Sequence, residues 1–296
     1  MNILNWINNN CASLKGKKVA ISGSTGGLGQ ELCLHLASLS ADLILMDRNE
    51  PKVNELMLRL QKNFPKVNIY TIRLDLTDMG LVKSATEELK TLSPDIVIFN
   101  AGAYSIPRYT CDTGLDNVFQ INFASGYYIA KKLLPTLQKN KGRIVAVGSI
   151  AHNYSKFDPN DIDFSLRKKA SLVYGNAKRF LMFSLFELFK EEKDASLSIV
   201  HPGITFTNIT AHYPKIIFML IKNPMKIIFM RPKKAALSIL KGVFQNTEYF
   251  SWIGPKFFNV WGYPKKSKLK TCDTHESKLI FQNAEEIYNN LKRHSN

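Results

Sequence analysis

Short runs of consecutive apolar residues, each closed by a turn and followed by a stretch with helical spacing, constrain this chain more than any other feature. KKVAIS at 17–22, LILMD at 43–47, VNIYTI at 67–72, DIVIF at 95–99, GRIVAV at 142–147 and SLSIV at 196–200 are apolar along their length rather than at alternate positions. Strands of that kind are buried on both faces, which is the pattern of a parallel sheet covered by helices. Between them fall helical stretches, such as 28–39 with Leu28, Leu32, Leu36 and Leu39 on one face, then 51–64, 78–92, 115–139 and 170–192. Helices over 233–246 and 276–291 complete the pattern. The alternation predicts an α/β chain with a Rossmann-type, doubly wound parallel sheet whose ligands bind at the carboxyl ends of the strands.

At 296 residues the chain is long enough for one such domain, and no Pro-, Gly- or Ser-rich linker divides it. We expect an N-terminal extension over 1–14 and a catalytic domain over 15–296, with a helical substrate lid near 204–232 and a C-terminal extension near 253–296. The four cysteines, Cys11, Cys33, Cys111 and Cys272, are scattered and have no metal-ligand spacing. They are expected to be reduced. The N-terminus has no basic region leading into an apolar one, so no signal peptide is expected, and the expected compartment is the cytoplasm. The net charge of +16 is concentrated after residue 211, where 15 Lys and Arg stand against 5 Asp and Glu. No zinc-finger, RNP or helix-turn-helix pattern accompanies it, which argues against nucleic acid as a partner.

The turn after the first strand reads Ser22, Gly23, Ser24, Thr25, Gly26, Gly27, Leu28, Gly29. Glycines there let the backbone approach a pyrophosphate, and the following helix offers free N–H groups to the anion. Asp47 ends the second strand, where a carboxylate accepts hydrogen bonds from the adenosine ribose hydroxyls and repels a 2'-phosphate. That favours NAD. Arg48 beside it favours a phosphate, so NADP stays open. Farther along, Tyr174 and Lys178 are one helical turn apart on one face, and a cation beside a phenol is expected to lower its pKa.

Taken together, Ser22 to Gly29, then Phe99-Asn100-Ala101-Gly102, Ser149 at the end of GRIVAVGS, Tyr174 with Lys178, and Pro202-Gly203 resemble the short-chain dehydrogenase/reductase family in identity, order and spacing. The resemblance covers about residues 14–250, and the stretch from GPKFF onward is similar to the retinol-dehydrogenase-like branch. It implies a catalytic tetrad of Asn122, Ser149, Tyr174 and Lys178: Tyr174 moves the substrate proton, Ser149 holds the reacting oxygen, Lys178 lowers the tyrosine pKa and holds the nicotinamide ribose, and the Asn122 carbonyl holds a relay water. It also implies a cofactor site of Gly23, Ser24, Thr25, Gly27, Leu28, Gly29, Asp47 and Arg48. Asp75 and Leu76 would meet the adenine, Asn100, Ala101 and Gly102 would border the cofactor, and Pro202, Gly203 and Thr207 would lie near the carboxamide. Two positions depart from the family pattern, Phe99 for an asparagine and Gly148 for a serine, and neither removes a reacting group.

The expected activity is therefore NAD(P)-dependent interconversion of an alcohol and a ketone or aldehyde, on a small apolar substrate and without metal. His152, His201 and His212 read as loop or pocket-lining residues. The alternative from another class, a catalytically silent nucleotide-binding regulator, would be expected to lose tetrad residues. Residues 213–231 place Lys215, Lys222 and Lys226 on a narrow stripe of an otherwise apolar segment that Pro224 interrupts. That pattern predicts a lid, with peripheral membrane contact as a second expectation.

Overall fold

The computed structural model describes residues 2–204 and 230–293. Eight strands of the described residues form one sheet: β1 (Lys18–Ser22), β2 (Asp42–Asp47), β3 (Ile69–Arg73), β4 (Ile96–Phe99), β5 (Arg143–Val147), β6 (Ser196–Val200), β7 (Ser251–Phe257) and β8 (Trp261–Lys268). Their order is β3-β2-β1-β4-β5-β6-β7-β8. Neighbours run parallel as far as β7, and β8 returns antiparallel to it.

The reason the strands read as unbroken apolar runs is visible in their alternation. Val19 and Ile21 of β1 point into one core, with Leu43 and Leu45 of β2. Ala20, Ile44 and Met46 point into the other. The first core is covered by α1 (Ile3–Asn10), α2 (Gly27–Ser38), α3 (Glu50–Asn63) and, near the C-terminal side, α8 (Pro232–Phe244). The second is covered by α4 (Met79–Leu92), α6 (Ser125–Asn140), α7 (Ala170–Leu188) and α9 (Thr274–Arg293). Local chemistry sets where helices begin: Asn49 Oδ1 accepts from Lys52 N at the start of α3, and Asp78 Oδ1 accepts from Leu81 N at the start of α4.

Because β1 pairs with β2 on one side and β4 on the other, the crossovers leave in opposite directions and open a crevice at the carboxyl ends of β1 and β4. Several expectations need correction. The helix read as continuous over 115–139 is a short α5 (Asn117–Phe119), a π-turn at Gln120–Ala124 and α6. The helix expected to end at 192 ends at Leu188. Three elements were not among those expected: α1, which packs Trp6 and Ile7 into the core, and β7 and β8, whose hairpin extends the sheet. Most of the expected lid, including Thr207, His212, Lys215, Lys222 and Lys226, lies outside the described residues. Among the described residues no helix is long and apolar enough to cross a membrane.

Candidate active site

The crevice is held together from beneath by Ser22, whose Oγ accepts from the N–H groups of Asn100 and Ala101, both at 3.1 Å. Asn100 Nδ2 answers by donating to the carbonyls of Ser22 and Gly23, each at 3.0 Å. The end of β4 is thereby tied to the glycine turn. α2 starts at Gly27 with Gly26 as its cap residue, so the N–H groups of its first turn face the crevice. At Gly29 the close approach admits no side chain: a Cβ would lie 2.2 Å from the Gly23 carbonyl oxygen and 2.9 Å from that of Ser24.

Asp47 at the end of β2 is already engaged. Its Oδ2 accepts from Thr25 N at 3.0 Å and Thr25 Oγ1 at 2.8 Å, and its Oδ1 accepts from Arg48 N at 2.9 Å. Asn49 N also donates to Oδ1, at 3.4 Å, so all of the about four acceptor positions of the carboxylate are engaged, and a ribose hydroxyl would take the place of the longest of these contacts. The Arg48 guanidinium turns toward Asp75, 3.6 Å away, with 65% of the side chain exposed. Asp75 is fixed by Thr77, whose N and Oγ1 donate to Oδ1 at 3.0 and 2.8 Å.

A cavity of about 830 Å³ runs across these groups. Gly23, Thr25, Gly27, Leu28 and Gly29 line its floor, with Asp47, Arg48, Asp75 and Leu76 at one end. Asn100, Ala101 and Gly102 line the middle, and Ser149, Tyr174, Lys178, Pro202 and Gly203 the other end. Ser24 is buried outside this lining, and Asn122 lies behind Gly102. The volume, the helix N-terminus and the unpartnered buried Asn100 Oδ1 fit an extended dinucleotide with phosphates over the turn.

At the far end, Ser149 follows β5 and opens a 3-10 turn at Ile150–Tyr154. Tyr174 and Lys178 project from α7 toward it. Burial pushes the Tyr174 phenol up to about 12, outweighing the lowering by the adjacent Ser149 hydroxyl. The expected depression by Lys178 is therefore not what this environment gives. Lys178 Nζ is 5.7 Å from the Tyr174 ring centroid and donates to the Val147 carbonyl at 2.9 Å, and burial pushes its own pKa down to about 8. Asn122 Nδ2 donates to the carbonyls of Ala103 and Val118, both at 2.8 Å. Its position within a π-turn changes which backbone carbonyls are paired along that helix.

Sequence reading missed the outer wall. Tyr104 packs edge-on against Tyr174 with centroids 5.3 Å apart, and Ile106, Tyr109, Ile150 and Tyr154 continue the lining toward solvent. Only the aromatic type of Tyr104, two residues past Gly102, carried any signal. His201 lines the cavity as expected, and neither ring nitrogen has a hydrogen-bond partner. His152 is buried behind Ser149, outside the lining. Among the described residues no three His, Cys, Asp or Glu side chains cluster to hold a metal.

Comparison with known proteins agrees with this architecture. A family model described as short chain dehydrogenase matches residues 17–160. An uncharacterized oxidoreductase of Schizosaccharomyces pombe is 28% identical over 81% of this chain and 76% of its own length. Human polyprenol dehydrogenase is 22% identical over 86% of this chain and 78% of its own. Human retinol dehydrogenase 13 is 24% identical over 68% of this chain and 62% of its own. A crystal structure of an uncharacterized protein from Mycobacterium paratuberculosis superposes with a TM-score of 0.77 at 20% identity, covering 95% of this chain and 96% of that one, which shows the shared fold.

Proposed function

Because the chain belongs to the short-chain dehydrogenase/reductase family, in its retinol-dehydrogenase-like branch, and is an NAD(P)-dependent oxidoreductase acting on CH–OH or C=O groups, we propose that Tyr174 is its proton-transfer residue and that its substrate is an apolar alcohol or carbonyl compound. The observation that carries this reading is the convergence of Ser149, Tyr174 and Lys178 at one end of a cavity whose floor is the glycine turn. A bound nicotinamide supplies or accepts the hydride. Ser149 donates a hydrogen bond to the substrate oxygen and orients it. Tyr174, a phenol that burial keeps from ionising, delivers a proton to that oxygen as charge develops on it during reduction, and takes one back during oxidation. Lys178 places a buried ammonium beside the phenol and faces Gly102, where a Cβ would come 3.5 Å from Nζ. That position suits a ribose hydroxyl. Asn122 adjoins the same point, since that Cβ would come 2.8 Å from its Oδ1. Its backbone carbonyl would hold a relay water in this reading.

NAD is the preferred cofactor in this reading, since the Asp47 carboxylate lines the adenosine end and repels a 2'-phosphate, while the Arg48 guanidinium at the same end is paired with Asp75. Tyr104, Ile106, Tyr109, Ile150 and Tyr154 give the substrate end an apolar and aromatic wall, consistent with relatives named for polyprenol and retinol. The test is a panel of retinoid, polyprenyl, steroid, aliphatic and quinone-like alcohols and carbonyls with both cofactors, followed by nicotinamide absorbance. Turnover of an apolar member with NAD or NADH is the expected result. Cofactor binding without turnover of any member would favour the silent regulator instead.

A further inference from the structure

His152 lies directly behind the serine that this reaction uses. Its ring is fully buried, with Nδ1 2.6 Å from the Ser149 carbonyl oxygen and Nε2 2.7 Å from Thr271 Oγ1. A backbone carbonyl can only accept, so Nδ1 carries the ring proton and Nε2 accepts from the Thr271 hydroxyl. The backbone N–H of His152 donates to the same Ser149 carbonyl at 3.2 Å. Two donors from one residue thus hold the peptide that follows Ser149, and with it the torsion that aims the serine. On the side-chain end, Ala151 N donates to Ser149 Oγ at 3.2 Å.

The other half of the clasp is equally fixed. The Thr271 carbonyl accepts from Arg179 Nη2 at 2.5 Å, and Arg179, only 1% exposed, also pairs with Glu276 and reaches the His152 carbonyl at 3.3 Å. Arg179 follows Lys178 in α7, so the helix that presents the tyrosine and lysine also grips the C-terminal segment. Trp252 of β7 and Phe183 of α7 close edge-on around the His152 ring, at 5.5 and 6.1 Å. Turn and helix meet at Gly175, where a Cβ would lie 2.3 Å from the Ala151 carbonyl oxygen. Residues 119 positions apart in sequence are thereby brought to bear on one hydroxyl.

We infer that His152 is a positioning residue for Ser149, and that through Thr271 the segment from β7 to α9 is a working part of the active site. The inference rests on the reading of Ser149 and Tyr174 as the reacting pair. The experiment is a double-mutant cycle in the full chain, using the carbonyl compound of highest turnover in the panel above and nicotinamide fluorescence for cofactor affinity. His152→Phe is expected to lower kcat roughly tenfold to a hundredfold with cofactor Kd unchanged, the cost of a displaced reacting group. His152→Asn, whose Nδ2 occupies the place of Nδ1 and still donates to the Ser149 carbonyl, is expected to recover most of the loss. In a Ser149→Ala background, His152→Phe is expected to cost nothing more. A loss that adds in full to that of Ser149→Ala, or that asparagine does not rescue, overturns the inference. Wild-type turnover by Ser149→Ala would instead overturn the reading on which it rests. Should the phenylalanine variant fail to fold, the asparagine variant and ring ¹⁵N spectra of the native chain decide. The expected spectrum is a neutral Nδ1–H tautomer that does not titrate near 6.5, and an Nε2–H tautomer or an ordinary titration would overturn the clasp.

Discussion

Replacing Gly29 by alanine tests whether the cofactor cradle depends on backbone-to-backbone contact. The new methyl would lie 2.2 Å from the Gly23 carbonyl oxygen, where ordinary contact begins at 3.4 Å, so turn and helix must separate by about 1.2 Å. Neither partner can yield as a flexible side chain would. The turn is pinned by Asn100, and α2 is pinned by Leu32, Cys33 and Leu36, all fully buried. Overpacking of this kind costs about 1–3 kcal/mol, which in a chain of this size lowers Tm by roughly 2–10 °C. A turn displaced by about 1 Å also misplaces the groups that meet the pyrophosphate, an error worth about a hundredfold where geometry is critical. The assay is thermal melting together with NADH titration by fluorescence. Gly26→Ala is the internal control, because its Cβ would meet the same oxygen at an ordinary 3.5 Å. Its expected cost is that of a poorer helix cap, about 1 kcal/mol at most. If Gly29→Ala is tolerated as well as Gly26→Ala, the close-approach argument is wrong.

Asp47→Asn keeps an acceptor for Thr25 but removes the charge, and is expected to shift the NAD-over-NADP binding ratio toward NADP by about tenfold or more, read by titrating each nucleotide. An unchanged ratio would locate the selectivity elsewhere. Acid should destabilise the fold through His152 and His201, whose burial pushes each from 6.5 down to about 4. Between those values the unfolded chain binds protons that the folded one refuses, so stability is full above 6.5 and falls as pH drops toward 4, by an amount on the order of a few kcal/mol for the pair. Melting curves across that range check it, and a flat Tm would refute the burial of two neutral rings.

What could be read from the residues was whatever leaves a local signature. β1, β2, β4, β5 and β6 were legible because burial on both faces demands unbroken apolar runs, whereas β3, at the sheet edge with Thr71 and Arg73 exposed, was legible from its β-branched and aromatic residues alone. The glycine turn and the Tyr174–Lys178 pair were legible because their chemistry depends on spacing alone. β8 was not, since WGYPKKSK is largely exposed, carries Pro264 and is held chiefly by pairing with β7. α1 was also missed: its asparagines are poor helix formers, and it is ordered by burying Trp6 and Ile7 and by the Trp6 stack on Tyr263. The π-turn around Asn122 has the same periodicity as an ordinary helix over so short a span. Tyr174 is raised rather than lowered because spacing reports the nearby lysine but not the burial of the phenol. The link from Ser149 through His152 to Thr271 exists only in three dimensions.

The account turns on Tyr174, and Tyr174→Phe tests it most directly because it removes one oxygen from a residue packed between Tyr104 and α7. Single-turnover hydride transfer and cofactor affinity, measured side by side on the native chain and the variant, separate chemistry from binding. The account predicts a loss of about 10² to 10⁴ in the rate of hydride transfer with cofactor Kd unchanged. Near-wild-type turnover by the phenylalanine variant would contradict it.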